Sequence, residues 1–246
     1  MKAFLRILLL LSLALLTQAA AWKKILDEKD LKLFHQRVEG SNLMKFRGEG
    51  LLRAPPEKVC WNLSDFDTVK MLMEQSGVEA DIRVLEAEPN RVVLYNRVNL
   101  PWPISDRDAV VEVTYQYDRD RGQIVINGRS TEHPKAPGVT NQIRVQMEAR
   151  SVLDFAEDPN VTVFRNSMHS DPGGWIPDWL VNFITKRQVI GMVRDLRAHL
   201  KTPAARSFPS FATNGFHPES VLEAYKISPL TGEILGKRDR IPARMH

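Results

Sequence analysis

The chain has 246 residues, 43% of them hydrophobic and 26% charged, with a formal net charge of +4 and a sequence pI of about 9.2. Lys2 and Arg6 carry two of those charges, and the six basic and four acidic residues of 203–246 add two more, so the region between is near neutral. That balance excludes the clustered cationic face of a nucleic-acid-binding protein, and the single cysteine, Cys60, excludes an intramolecular disulfide.

In chain order, residues 1–21 read as a secretory leader: Lys2 and Arg6, an apolar run from Ile7 to Leu16, then Ala19, Ala20 and Ala21. The run is about ten residues, too short to cross a hydrocarbon core comfortably. Cleavage before Trp22 is expected, leaving 225 residues (246 minus 21) in the periplasm or outside the cell. That length is enough for one substantial core. Trp22 to His35 is predicted as a helix, followed by a half-buried strand in which Met44 and Phe46 alternate with Lys45 and Arg47. Pro55 and Pro56 close that region. Glu57 to Met73 returns to helical spacing through Val59, Leu63, Phe66, Val69 and Met73, with Asp65 or Asp67 breaking it in two, and Cys60 reads as a small buried hydrophobe.

From residue 81 the period falls to two. Strands are predicted at 81–88, 91–99, 107–117, 123–131, 141–155 and 161–169. In the third, Ala109, Val111, Val113, Tyr115 and Tyr117 oppose Glu112, Thr114 and Gln116; in the fifth, Ile143, Val145, Met147, Ala149, Ser151 and Leu153 oppose Arg144, Gln146, Glu148 and Arg150. Phe164 and Met168 share a face of the last. Ala109, Gly128, Ser130, Ala149, Ser151 and Asn96 are small or polar for inward positions, and they either permit close helix packing or leave a void.

The stretch from Asp171 to Leu200 is a turn rich in Pro and Gly followed by the longest amphipathic helix. Asp178 stands as an N-cap or first-turn acid, and Leu180, Phe183, Ile184, Ile190, Val193, Leu196 and Leu200 form the expected apolar face. Antiparallel strands closed by one helix give an α+β class, a curved sheet wrapped around a C-terminal helix.

Three ordered segments resemble START domains, the lipid-transfer family related to steroidogenic acute regulatory protein: PGGWIPDWLVN from Pro172, PWPISDRDAVV from Pro101, and Trp22 to Arg53 with EGSNLMKFRGEG. The resemblance covers roughly residues 22–202 and implies a helix-grip fold enclosing a hydrophobic cavity. It favours the void over close packing and gives a lipid-binding set: Asn96, Val111, Val113, Tyr115, Val145, Met147, Ala149 and Phe164 on the strands, with Phe183, Arg187 and Ile190 on the helix. It also implies a cavity mouth between the helix and the loop from Thr131 to Asn141, opening at a membrane surface. Arg187 would meet a head group or snorkel outward. Arg107 and Asp108 would form an ion pair or fix a turn, Pro101 and Pro103 would set that turn, and Asn182 would satisfy backbone groups near the helix start. Sterol-binding members pair an acid with an arginine on neighbouring strands, whereas the matching position here is Val113, which argues against a sterol.

The six histidines show no metal-ligand spacing, and no nucleophile elbow, phosphate loop or dinucleotide fingerprint is present. His169 beside Asp171 reads as a loop hydrogen bond. No cofactor, metal or catalytic residue is expected. Beyond Lys201 the segment 203–246 reads as a Pro-rich basic tail with one short helical pattern at Glu219 to Ile227. The expected function is binding and shielding of one lipid, a phospholipid, fatty acid or sterol-like molecule, by a monomer that touches membranes transiently. A helix-grip cyclase or aromatase, and a lipid-sensing adaptor acting through the tail, are the alternatives.

Overall fold

Where the sequence predicts a helix from Trp22 to His35, the chain forms a hairpin: β1 (Lys23–Glu28) pairs antiparallel with β2 (Leu31–Arg37), closing at Glu28 opposite Leu31. Two features account for the difference. Asp30 adopts φ 64°, a left-handed conformation that aspartate tolerates, and it turns the chain back after Lys29. Leu31 and Leu33 are buried on either side of exposed Lys32, which is a period of two. The structure, a computed structural model, describes residues 21–75, 80–88, 91–98, 105–118, 121–138 and 142–205. The expected leader through residue 20, Pro101 and Pro103, residues 139–141 of the expected mouth loop, and the tail from 206 onward lie outside the described residues.

The remaining elements are β3 (Met44–Leu52), α1 (Pro56–Ser64), α2 (Phe66–Gln75), β4 (Ala80–Glu88), β5 (Arg91–Val98), β6 (Arg107–Asp118), β7 (Gln123–Ser130), β8 (Ile143–Arg144), β9 (Gln146–Phe155), β10 (Thr162–Asp171) and α3 (Asp178–His199). Pro56 opens α1 at a position where its missing N–H goes unused. Asp65 ends α1 in an extended conformation and starts α2, accepting from Thr68 Oγ1 at 2.6 Å. The predicted strand 141–155 is two pieces. Ile143 and Arg144 pair in parallel with Arg107 and Asp108, Val145 N donates to Asp108 O at 2.8 Å, and the chain then kinks so that β9 pairs with β7 and β10.

The sheet has the order β1-β2-β3-β10-β9-β7-β6-β5-β4, with β8 off this path on β6. Its concave side takes α3, which lies across β3 and β10. Two glycines set that approach. A Cβ on Gly48 would stand 3.0 Å from Val189 Cγ1, and one on Gly50 would stand 2.6 Å from Val193 Cγ1. The packed core sits beneath the C-terminal half of α3, where Leu52, Val59, Cys60, Ile124, Leu153, Phe164, Val193 and Leu196 are buried together. On the convex side Val93, Tyr95, Val110 and Ala136 make a second, smaller cluster.

Glu57, in the first turn of α1, conflicts with its surroundings. Its Oε2 is buried with no hydrogen-bond partner among the described residues, and desolvation pushes its carboxyl up from 4.5 to about 7. The folded protein therefore holds a proton that the unfolded chain releases near 4.5, and stability falls as pH rises from that value through about 7. Such a shift is worth at most about 3 kcal/mol, and partial solvent access reduces it. Glu57→Gln is expected to gain ~1–2 kcal/mol at pH 8 and nothing at pH 4, read by urea denaturation at both values.

Candidate functional site

Register fixes which residues share the concave face. Val111 stands opposite Leu94 and Ser130, Val113 opposite Val92 and Gly128, and Gly128 opposite Ala149. The small residues here differ in kind from Gly48 and Gly50. A Cβ built on Gly128 would meet, among the described residues, only Val111 Cγ1 at 3.5 Å and Ala149 Cβ at 3.8 Å, both in neighbouring strands of the sheet. No atom of the helix reaches it. Leu94, Val113, Ile126, Met147 and Ala149 are correspondingly only half-buried, although they sit on inner strands of a wide sheet. The helix packs on β3 and β10, and among the described residues none of its atoms comes within 4 Å of a Cβ built at Gly128; the concave face of β9, β7, β6 and β5 around that point is the candidate hollow.

The expected strand residues divide between this hollow and its floor. Asn96, Val111, Val113, Met147 and Ala149 face the hollow. Tyr115 and Phe164 share the concave face but are packed into the core with Ile124 and Leu153. Val145 lies at the kink, where its carbonyl accepts from Ser130 Oγ at 3.2 Å. Leu94 and Ile126 also face the hollow; the alternation in 91–99 and 123–131 carried that signal.

The helix residues require a correction. The stripe against the sheet is Val181, Thr185, Val189, Val193 and Leu196, all buried. Phe183 is 50% exposed and Arg187 is also exposed, with its guanidinium 5.7 Å from the Phe183 ring centroid, on the side of α3 away from the sheet. Ile190 leans instead toward the hairpin, in a cluster with Leu33, Phe46 and Leu26, and Arg194 pairs with Glu28 at 2.9 Å on that flank. By helical spacing the opposite flank, toward the hollow, carries Ile184, Gln188 and Met192. The cause lies in β3: its two glycines accept the β-branched Val189 and Val193, and that fixes the helix rotation.

The mouth loop is likewise displaced from its expected place. In its described part, Ala136 packs on Val93, Tyr95 and Val110 of the convex side, Lys135 Nζ donates to Leu85 O, and Arg144 Nη2 donates to Ala136 O. These contacts anchor the loop to the face opposite the hollow.

One end of the hollow is closed by contacts between the two resembling motifs. Arg107 is buried and donates to the carbonyls of Ser105, Pro172 and Gly173, so it holds the turn before α3. Gly173 and Gly174 have φ of 62° and 65°, and a Cβ on either would strike Ile143. Asp108 pairs with Arg144 rather than with Arg107, at 2.8 and 3.0 Å. Asn182 Oδ1 accepts from Met44 N at 2.7 Å and its Nδ2 donates to Asn42 O, tying α3 to the start of β3. His169 Nδ1 lies 3.4 Å from Met44 O.

The start of α3 presents aromatic side chains to solvent. Trp175 is 89% and Trp179 70% exposed, and with Phe183 they recur every fourth residue. The sequence reading passed over these tryptophans; their i, i+4 spacing with Phe183 was the available signal.

The START domain family model matches residues 5–206. Phosphatidylcholine transfer protein of Homo sapiens is 30% identical over 189 residues, covering 72% of this chain and 82% of that protein. An uncharacterized protein of Pseudomonas aeruginosa is 26% identical over 187 residues, covering 73% and 87%. The crystal structure of a STAR-related lipid transfer protein fragment from Xanthomonas axonopodis superposes with a TM-score of 0.63 at 29% identity, covering 74% of this chain and 99% of that one.

Proposed function

Because the chain belongs to the START domain family, we propose that its hollow takes up one lipid molecule and carries or presents it, without covalent chemistry, outside the cytoplasmic membrane. The observation that carries this reading is the sheet at Gly128, where among the described residues no helix atom lies within 4 Å of a built Cβ and the neighbouring aliphatic side chains are only half-buried. Burying a methylene is worth about 0.8 kcal/mol, so an acyl chain of about sixteen carbons would lose on the order of 12 kcal/mol if exposed to water in transit. An aliphatic hollow removes that barrier. The names of two relatives, phosphatidylcholine transfer protein and STAR-related lipid transfer protein, support the class of ligand. The leader-like character of residues 1–21 supports the compartment.

Delivery requires contact with a bilayer, and Trp175, Trp179 and Phe183 offer it. Tryptophan combines a large apolar ring with an N–H that suits the wet interface of a membrane. The protein acts as a monomer that docks through this ridge, beside the hollow. Native mass spectrometry of the mature protein from a membrane-containing host tests the reading. One lipid per chain is expected; a protein that is empty, and stays empty after incubation with vesicles of mixed phospholipid, fatty acid, sterol and diacylglycerol, would refute it. Trp175→Ala with Trp179→Ala is expected to weaken vesicle association in sedimentation about tenfold, or ~1.4 kcal/mol, while lipid uptake from detergent micelles is unchanged.

A further inference from the structure

Asn96 Oδ1 is buried without a hydrogen-bond partner among the described residues, and it stands on the concave face of the sheet. Asn96 pairs with Ala109 on β6 and Ile82 on β4, next along the face to Leu94 and Val111. It therefore marks the polar end of an otherwise aliphatic wall, near the end held by Arg107. The other polar groups of the wall are satisfied: Ser130 Oγ donates to Val145 O and accepts from Met147 N, and Ser151 Oγ bonds Asn166 Oδ1. Among the described residues of the wall, only the acceptor of Asn96 is left open.

The wall is also uncharged. Apart from Arg107, the concave positions of β4 to β7 and β9 hold no Asp, Glu, Lys, Arg or His among the described residues. Arg107 is drawn away into the carbonyls of Ser105, Pro172 and Gly173. Residues 99–104 and 139–141 contain no ionisable side chain in sequence. A phosphate head buried here would face an amide oxygen and find no counter-charge. A hydroxyl or amide N–H would supply the missing donor.

We infer that the carried lipid presents an uncharged hydrogen-bond donor to Asn96 Oδ1, and that lipids with an anionic head are taken up poorly. The inference rests on the lipid-carrier reading and adds a head-group class to it. The test incubates the full-length mature protein with phosphatidylcholine vesicles containing equal small amounts of diacylglycerol and phosphatidylglycerol of matched acyl chains. The protein is then re-isolated and its bound lipid quantified by mass spectrometry. Diacylglycerol is expected to be enriched at least tenfold over phosphatidylglycerol, and Asn96→Leu is expected to lower that ratio about threefold or more through the lost hydrogen bond. Loading of phosphatidylglycerol or phosphatidylcholine at or above the level of diacylglycerol overturns the inference and leaves the carrier reading standing; no loading of any lipid overturns both. A thermal melt of the empty variant gives an independent readout. Removing an unsatisfied acceptor should raise Tm by about 2–4 °C. A fall in Tm would mean that Asn96 holds the fold together, and would overturn the inference.

Discussion

Asp108→Ala is expected to destabilise the domain by about 3–5 kcal/mol, the largest loss of any single charged side chain in the sheet. Asp108 is 2% exposed and accepts from Arg144 Nε at 2.8 Å and Nη2 at 3.0 Å, a two-pronged pair. Truncation would leave the Arg144 guanidinium in a poorly solvated place without its carboxylate. The damage would spread, because Arg144 also holds Ala136 O and lies in β8, which pairs with β6 at Arg107 and Asp108. Asp108→Asn keeps the shape and one acceptor, so a loss of about 1–3 kcal/mol is expected. Urea denaturation of the two variants checks both figures. Equal and small losses would show that the pair contributes little beyond packing.

The second large effect separates two kinds of glycine. Gly128→Leu is expected to reduce lipid loading at least tenfold while Tm stays level or rises, because the new side chain occupies space that no helix fills. Gly50→Ala is expected to do the reverse. Its Cβ would lie 2.6 Å from Val193 Cγ1 and 3.1 Å from Asp30 O, and overpacking of this kind costs about 1–3 kcal/mol. Native mass spectrometry reads the first and thermal or urea unfolding the second. If Gly128→Leu loads lipid normally, the hollow lies elsewhere.

The sheet was legible where one face is wet and the other dry. The alternation of Val111, Val113 and Tyr115 with Glu112 and Thr114 has a period that no helix shares, and parity alone then places Asn96, Met147 and Ala149 on the correct side. The N-terminal hairpin was hidden because its decisive residue, Asp30, works through a backbone angle that carries no hydrophobic signal. The rotation of α3 was hidden for a different reason. Its first half carries Trp179, Leu180, Val181, Phe183 and Ile184 on more than one side, so spacing supports more than one buried stripe, and the choice is made about 140 residues away by Gly48 and Gly50, with Val189 Cγ1 and Val193 Cγ1 the atoms they admit. Large aromatic residues drew the reading toward Phe183, which faces solvent. The mouth loop was misplaced because its hold on the convex side comes from a small methyl, Ala136, from Lys135 and Arg144 reaching backbone carbonyls, and from His133 meeting Glu86 of β4, contacts that carry no hydrophobic period.

The strand order also sets a schedule. β3 finds one neighbour, β2, within a few residues, but its other neighbour is β10: Phe46 pairs with Met168, and Met44 N waits for Asn182, 138 residues later in the chain. While the polypeptide is being made, the first three strands can form only a small ribbon with an open edge, and Gly48 and Gly50 on it have no helix to meet. Contacts this distant in sequence close slowly. The nascent chain is therefore committed to its final topology only when β10 and α3 have both emerged. Until then an unpaired β3 is the segment most exposed to wrong partners, and a holding chaperone would gain most by covering it.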